Sequence, residues 1–196
     1  MPFDCYAPKG PLNTGETRYD EIKRSDQLTF GLEFWQGPYH NQIITGEWNH
    51  ESLMEEKRQK LNKKRVFISH RQKDKTWSLA FAAVLQAHGI DYWLDICDPR
   101  LSNPHKKLPP IGIANIIEIA LINSTHVVAL ISKNSAGSAW IPYEYGRIKS
   151  PNSHIGNVCA YNCLPSGRSL PEYMQLSKVG YSDMDVVQWI QQTPIR

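Results

Sequence analysis

"RVFISHRQKDKTWSLAFAAVLQAHGIDYWLD", residues 65–95, is the stretch that decides the fold. It begins with a short apolar run that ends in polar residues, a pattern typical of a buried strand. A helical pattern follows, in which Trp77, Phe81 and Leu85 share one face and Asp74 stands at the N-cap or in the first turn. A second short strand, IDYWLD, completes a strand–helix–strand unit. Such a unit places two parallel strands in one sheet.

The same alternation of strand and helix continues to the end of the chain. IGIANIIEIALINS is a mostly apolar helix, and THVVALIS after it has the clearest pattern of a buried strand. In the next helix, AWIPYEYGRIK, Pro142 fits only in or beside the first turn. HIGNVCAY and the weaker SKVGY follow as strands, and Ser182 is the expected N-cap of the last helix, SDMDVVQWIQQ. We therefore predict an α/β fold of the flavodoxin-like type, a parallel five-stranded sheet of order 2-1-3-4-5 with helices on both faces.

The chain before this domain has a different pattern. Residues 28–34 alternate between apolar and polar side chains, which predicts a half-buried strand, and residues 42–48 are a candidate hairpin partner. A charged segment with apolar residues at helical spacing then leads into the main domain. We therefore divide the chain into an N-terminal extension, 1–63, with a hairpin and a short helix, and a main domain, 64–196.

The composition is that of an ordinary globular protein, with 41% hydrophobic and 21% charged residues among 196. A net charge of +3 is too small to indicate a nucleic-acid partner. No stretch approaches the roughly 20 apolar residues of a membrane span, and the N-terminus lacks the pattern of a signal peptide. We expect a cytoplasmic protein. Its cysteines are scattered, and only Cys159 and Cys163 are four residues apart, so we predict reduced thiols and no metal site.

A sheet of order 2-1-3-4-5 has its ligand crevice between the first and third strands, outside their carboxyl ends. Two groups of residues directly follow those strands and therefore meet at the crevice. They are the loop residues Ser69, His70 and Arg71 and the helix residues Trp140, Tyr143 and Glu144. The predicted fold thus brings together two segments that are far apart in the sequence.

Four segments of the chain, in this order and at these spacings, resemble the Toll/interleukin receptor (TIR) domain family. They are RVFISHRQKD, YWLD, STHVVALISKNSAGSAW and WIPYE, and the resemblance spans roughly residues 64–192. The last segment has the W-x-x-x-E arrangement of bacterial and plant TIR enzymes that cleave NAD+ at the nicotinamide–ribose bond. In those enzymes the glutamate is catalytic, so the resemblance implies that role for Glu144.

The resemblance extends to bacterial Thoeris-like TIR proteins of anti-phage defence. It implies an NAD+ glycohydrolase or ADP-ribosyl cyclase whose product is ADP-ribose or a cyclic ADP-ribose-derived signal. NAD+ would be a substrate and no cofactor would be tightly bound; no G-x-G-x-x-G follows a strand to indicate redox use of NAD+. The resemblance also implies self-association through TIR surfaces and a separate effector or sensor protein. The loop from Ile96 to Pro110 matches the BB loop of the family, which closes over the site and mediates assembly.

The chemistry of the reaction supports a single catalytic carboxylate. Departure of nicotinamide leaves a ribosyl group with oxocarbenium character, and a nearby negative charge favours that group over the ground state. Nicotinamide leaves as a neutral molecule, so no general acid is required. The alternative interpretation of Glu144 is an exposed helix carboxylate that pairs with Arg147 at i+3 for a few tenths of a kcal/mol.

The other candidate residues have expected roles in binding the substrate. The Arg71 guanidinium matches the paired oxygens of a pyrophosphate, and the Tyr143 ring could stack on nicotinamide or adenine. Trp140 either packs in the core or shapes the pocket beside the carboxylate. The other three candidates lie at the ends of the first two strands, and they are Ser69, His70 and Asp95. Of these, Asp95 could either hold the adjacent loop or bind ribose.

Three other functions are compared with this one, of which the second is set aside. The domain could be a non-catalytic TIR interaction module, which has no need for a carboxylate in W-x-x-x-E. A response-regulator-like switch of the same strand order needs a phosphorylatable aspartate after the third strand, where this chain has Ser132. A nucleoside deoxyribosyltransferase, which also places a glutamate near ribose, is a minor alternative.

Overall fold

The computed structural model describes residues 64–98, 101, 108–148, 157–165 and 167–195. The hairpin and helix predicted within residues 1–63 lie outside this part of the chain, and so does most of the predicted loop from Ile96 to Pro110. Strands and helices alternate through the described residues as the sequence predicts, except that only a 3-10 helix, Glu172–Leu176, separates the last two strands. In chain order they are β1 (Arg65–Ser69), α1 (Lys75–Ala87), β2 (Asp91–Trp93), α2 (Pro110–Ile122), β3 (His126–Ile131), α3 (Trp140–Arg147), β4 (Val158–Asn162), β5 (Lys178–Gly180) and α4 (Asp183–Gln192).

The five strands form one parallel sheet in the order β2-β1-β3-β4-β5, so the predicted fold is confirmed. Both faces of the sheet are covered, which explains why the central strands are apolar without alternation. Val66 and Ile68 of β1 pack with α1 and α4, whereas Phe67 between them packs with α2 and α3 on the opposite face. Each strand therefore supplies alternate side chains to two separate cores.

Two local predictions about the helices are confirmed. Pro142 is the third residue of α3, within the first turn, where its missing N–H would have no helical partner. Ser182 caps α4, and its hydroxyl accepts a hydrogen bond of 3.2 Å from the backbone N–H of Asp185. Among the described residues the longest helices have 13 residues, and none is long and apolar enough to cross a membrane.

Asp74 occupies the N-cap position of α1, but its side chain makes no capping hydrogen bond. It accepts hydrogen bonds from the Ser132 hydroxyl at 2.7 Å and from the Asn134 amide at 2.6 Å. These bonds join the loop after β1 to the loop after β3. They hold together the two segments that border the predicted crevice.

Candidate functional site

Glu144 and Ser69 meet at the carboxyl ends of the central strands. Ser69 ends β1 and lies beside Ala129 of β3, and α3 follows β3 along the chain. The Ser69 hydroxyl donates a hydrogen bond of 2.6 Å to Oε2 of Glu144, although the two residues are 75 positions apart. The strand order therefore brings these two candidate residues into direct contact.

Glu144 is a buried carboxylate, with only 6% of its surface exposed. Burial raises its pKa to about 7, because loss of hydration penalises the charged form; the nearby charge of Asp95 raises it further, and the Ser69 hydrogen bond lowers it. The interpretation of Glu144 as an exposed carboxylate is therefore wrong. The face of α3 that turns to the sheet carries Ile141, Glu144 and Tyr145, so the carboxylate is buried along with the two apolar anchors.

Arg147 is ion-paired with Glu118 of α2. Its Nε lies 3.1 Å from Oε2 and 3.3 Å from Oε1 of Glu118. Glu118 is also buried, with 8% exposure, and accepts a hydrogen bond from the Tyr143 hydroxyl. The arginine that follows Glu144 by one helical turn thus has its carboxylate partner on a neighbouring helix.

Trp140 and Tyr143 lie on the surface of the helix that carries Glu144, with exposed fractions of 42% and 43%. Their rings meet edge to face, with centroids 5.8 Å apart and an interplanar angle of 83°. Trp140 is therefore not a core residue. Partial burial and the bond to Glu118 raise the pKa of Tyr143 to about 12, so its hydroxyl stays protonated at neutral pH. Aromatic side chains exposed to this extent are the kind that contact planar heterocycles.

His70 and Asp95 form a second pair at the ends of β1 and β2. Nδ1 of His70 lies 3.6 Å from Oδ1 of Asp95, and Nε2 of His70 is buried without a hydrogen-bond partner among the described residues. Oδ1 of Asp95 also accepts a 2.7 Å bond from the N–H of Ile96, which holds the turn after β2. Although 37% of the Asp95 side chain is exposed, desolvation raises its pKa, and His70 opposes that change.

Arg71 follows this pair at the start of a short 3-10 helix, Gln72–Asp74. Its side chain is partly buried and makes no ion pair or side-chain hydrogen bond within the described part of the chain. A guanidinium matches the paired oxygens of a phosphate or carboxylate, so this residue stays a candidate for binding an anion.

Sequence reasoning missed Glu118, which holds two residues of the helix that carries Glu144. A signal for it was present, because Glu118 is the only charged residue in IGIANIIEIALINS. A carboxylate in an otherwise apolar helix is rarely buried without a partner. The partners, Tyr143 and Arg147, could not be read from the sequence, because they depend on how α2 and α3 pack.

The described residues offer no group of three His, Cys, Asp or Glu side chains that could hold a metal ion. The site consists of a buried carboxylate, a hydroxyl that donates to it, two exposed aromatic rings, a histidine–aspartate pair and a guanidinium. Such a set can bind an aromatic, anionic ligand and place a negative charge against it.

The fold and the site define a parallel α/β domain with a carboxylate at its topological switch point. The sequence model of the TIR domain matches residues 66–184, more than half of the chain, and the chain therefore belongs to the TIR domain family. This family includes both NAD-cleaving enzymes and domains that self-associate. Neither the comparison with curated proteins nor that with solved structures gave a significant match.

Proposed function

We propose that this TIR domain cleaves NAD+ at the nicotinamide–ribose bond and that Glu144 is the catalytic carboxylate. One observation carries the proposal. Glu144 is only 6% exposed, its carboxylate accepts a hydrogen bond from Ser69, and this contact lies at the switch point of the sheet. Burying a carboxylate that has no hydrogen bond to a cation lowers the stability of the fold. Such a residue is therefore more readily explained by a role in function.

The reaction needs little more than this charge. The C1′–N1 bond breaks, its electron pair leaves with neutral nicotinamide, and positive charge develops on the ribose. At 4 Å and an effective dielectric near 20, a carboxylate stabilises such a charge by about 4 kcal/mol, or roughly a thousandfold in rate. Water or a hydroxyl of the substrate then attacks C1′ and loses a proton. Glu144, with a pKa of about 7, is suited to accept that proton.

The remaining candidate residues would orient the dinucleotide. Arg71 would contact the pyrophosphate, and the Tyr143 and Trp140 rings would contact a base. The buried Nε2 of His70 would find its hydrogen-bond partner on the substrate, next to Asp95. NAD+ would be consumed as a substrate and not retained as a cofactor.

In the same proposal the product is ADP-ribose or a cyclic derivative that acts as a signal in bacterial anti-phage defence, in the cytoplasm. Self-association through TIR surfaces would complete the site, and a separate protein would act as effector or sensor. Nucleic acid and membrane would take no part.

The test is to incubate purified protein with NAD+ and to identify the products by mass. Glu144→Gln should lower the rate by roughly a hundredfold or more, because the amide keeps the shape but removes the charge. Glu172→Gln makes the same chemical change on the exposed surface and should leave the rate unchanged. A Glu144→Gln protein as active as wild type would contradict the proposal.

A non-catalytic interaction module is the second candidate, and one observation favours it. Large apolar side chains are exposed at the starts of α2 and α3, two helices that contact each other through Glu118. They are Ile111 at 54%, Ile113 at 37%, Trp140 at 42% and Tyr143 at 43%. A protein that associates in sedimentation experiments but leaves NAD+ intact at all concentrations would support this candidate.

A further inference from the structure

The helix that carries Glu144 depends on its neighbours. α3 has only eight residues, lacks a side-chain N-cap and contains Gly146 in its last turn, so it would be marginal in isolation. Two buried side chains, Ile141 and Tyr145, hold it on the sheet, and the Tyr145 hydroxyl donates a 3.2 Å hydrogen bond to the Met174 carbonyl. These contacts fix one side of the helix.

Glu118 of α2 fixes the adjacent side. Its carboxylate accepts from the Tyr143 hydroxyl and lies 3.1 Å from Nε of Arg147. Tyr143 and Arg147 are four residues apart and therefore lie one above the other on the helix surface. A single buried carboxylate thus holds α3 at two points, immediately before and one turn after Glu144 in the sequence.

We propose that Glu118 is a positioning residue that holds Arg147 against α2 and thereby keeps this cation away from the catalytic carboxylate of Glu144. The inference rests on the proposed function of Glu144. In this proposal Glu118 contacts no reacting atom, and it affects the reaction only by holding the Arg147 side chain against α2.

The physical reason is the spacing of Arg147 and Glu144. Residues three apart on a helix have Cβ atoms roughly 5–6 Å apart, so a released guanidinium could reach Glu144. An ion pair there would offset the negative charge that the developing ribosyl cation requires, and would stabilise the ground state. It would also lower the pKa of Glu144, since an opposite charge at close range lowers a carboxyl pKa by about 1–3 units.

Neither of the two side chains that shift the pKa of Glu144 is a cation. Asp95 raises the pKa of Glu144, and the Ser69 hydroxyl lowers it. Within the described part of the chain, the titratable and charged groups on the elements packed against α3, or directly after them, are Arg65 on β1, His70 and Arg71 after β1, Asp95 after β2, Glu118 on α2, His126 on β3, Lys133 after β3, Tyr173 in the 3-10 helix Glu172–Leu176, and Tyr143, Tyr145 and Arg147 on α3 itself. Arg147 is the permanent cation on α3 itself, three residues from Glu144, so its position affects how much positive charge Glu144 meets.

The experiment compares four proteins: wild type, Glu118→Gln, Arg147→Met and the double variant. The Glu144 carboxyl is titrated by carbon-detected NMR, with its signal assigned by its loss in Glu144→Gln. We expect its pKa to fall by about one unit in Glu118→Gln and to stay at the wild-type value in the other two. In the NAD+ assay, kcat should fall about tenfold in Glu118→Gln with little change in KM, and removal of Arg147 in the double variant should restore most of it.

A residue that merely stabilised the fold would give another result. The double variant would then be no better than Glu118→Gln, and the Glu144 titration would not move; either finding overturns the proposal. If Glu118→Gln does not fold, Arg147→Met still decides. Its Glu144 pKa should equal that of wild type, and a rise of more than about half a unit would show that Arg147 already acts on Glu144.

The titration needs no catalytic activity, so the two proposals can fail separately. Absence of NAD+ cleavage in all four proteins would refute the proposed function while the NMR shifts still test the role of Glu118. Conversely, an active wild type with four identical titrations would refute the role of Glu118 alone.

Discussion

Replacing Glu144 with glutamine should stabilise the folded protein above neutral pH while it removes the proposed activity. The folded pKa of Glu144 is raised from 4.5 to about 7, chiefly by burial. Each pKa unit corresponds to about 1.4 kcal/mol, so the ionised side chain lowers the free energy of unfolding by up to about 3 kcal/mol. Glutamine avoids this cost, and its carbonyl oxygen can still accept the Ser69 hydrogen bond.

The sign of the effect depends on pH. Below about pH 4.5 the carboxyl is protonated in both the folded and unfolded states, and it contributes no penalty. Between the unfolded pKa of 4.5 and the folded pKa of about 7 the unfolded chain is ionised first, so stability is lost progressively across this range, and the loss is nearly complete above pH 7. We therefore expect wild type and Glu144→Gln to unfold alike near pH 4, and the variant to be more stable by about 1–3 kcal/mol at pH 8.

Urea unfolding at the two pH values measures this difference directly, and the variant's melting temperature at pH 8 should be higher by about 5–10 °C. Glu118→Gln is the matched control, since Glu118 is similarly buried at 8% but is paired with Arg147. Its replacement should lower the free energy of unfolding at both pH values, because it breaks the ion pair that joins α2 to Arg147 of α3. A Glu144→Gln protein that is less stable than wild type at pH 8 would refute the electrostatic reasoning.

Three further predictions concern the site, the packing and the assembly. Ser69→Ala removes a hydrogen bond to ionised Glu144, so the midpoint of the pH–rate profile for NAD+ cleavage should move up by about half to one unit; an unchanged midpoint would argue against that bond. Gly180→Ala would place a Cβ 2.4 Å from Cγ2 of Val186 and should cost about 1–3 kcal/mol in thermal unfolding, whereas Gly146→Ala meets nothing within 4 Å and should not destabilise. Specific activity should rise with protein concentration if neighbouring copies complete the site, and a concentration-independent monomer would exclude this.

The strand order could be predicted because it depends on patterns that are local in sequence. Val66, Phe67 and Ile68 form a continuous apolar run, which only a strand covered on both faces requires. Short crossovers and their fixed handedness then leave few arrangements. The contact between Ser69 and Glu144 follows from that order, since Ser69 ends β1 and Glu144 lies on the helix that follows the neighbouring strand, β3.

The depth and the partners of the site could not be predicted in the same way. Helical spacing shows that Trp140 and Glu144 lie near one face, but not how far that face enters the sheet. In the structure Trp140 is 42% exposed and Glu144 is 6% exposed. Likewise, the i+3 spacing of Arg147 suggested a local ion pair, whereas a carboxylate on α2 is its partner. Packing between helices decides both features, and packing is not periodic along the chain.

Burial and charge have opposite consequences for Glu144, and this opposition is the strongest physical argument for its proposed catalytic role. Its ionised carboxylate lowers the stability of the fold near neutral pH. The nearby charge of Asp95 raises the pKa of Glu144 further and so makes ionisation less favourable. The cation best placed to relieve this cost, Arg147, is paired with Glu118 on another helix. A structural role would be served better by glutamine, or by a direct pair with Arg147. Stabilisation of a developing ribosyl cation requires a carboxylate whose negative charge is not already neutralised. Glu144 fits this requirement, since it is buried, accepts a hydrogen bond from a hydroxyl, and is not paired with its nearest arginine on the helix.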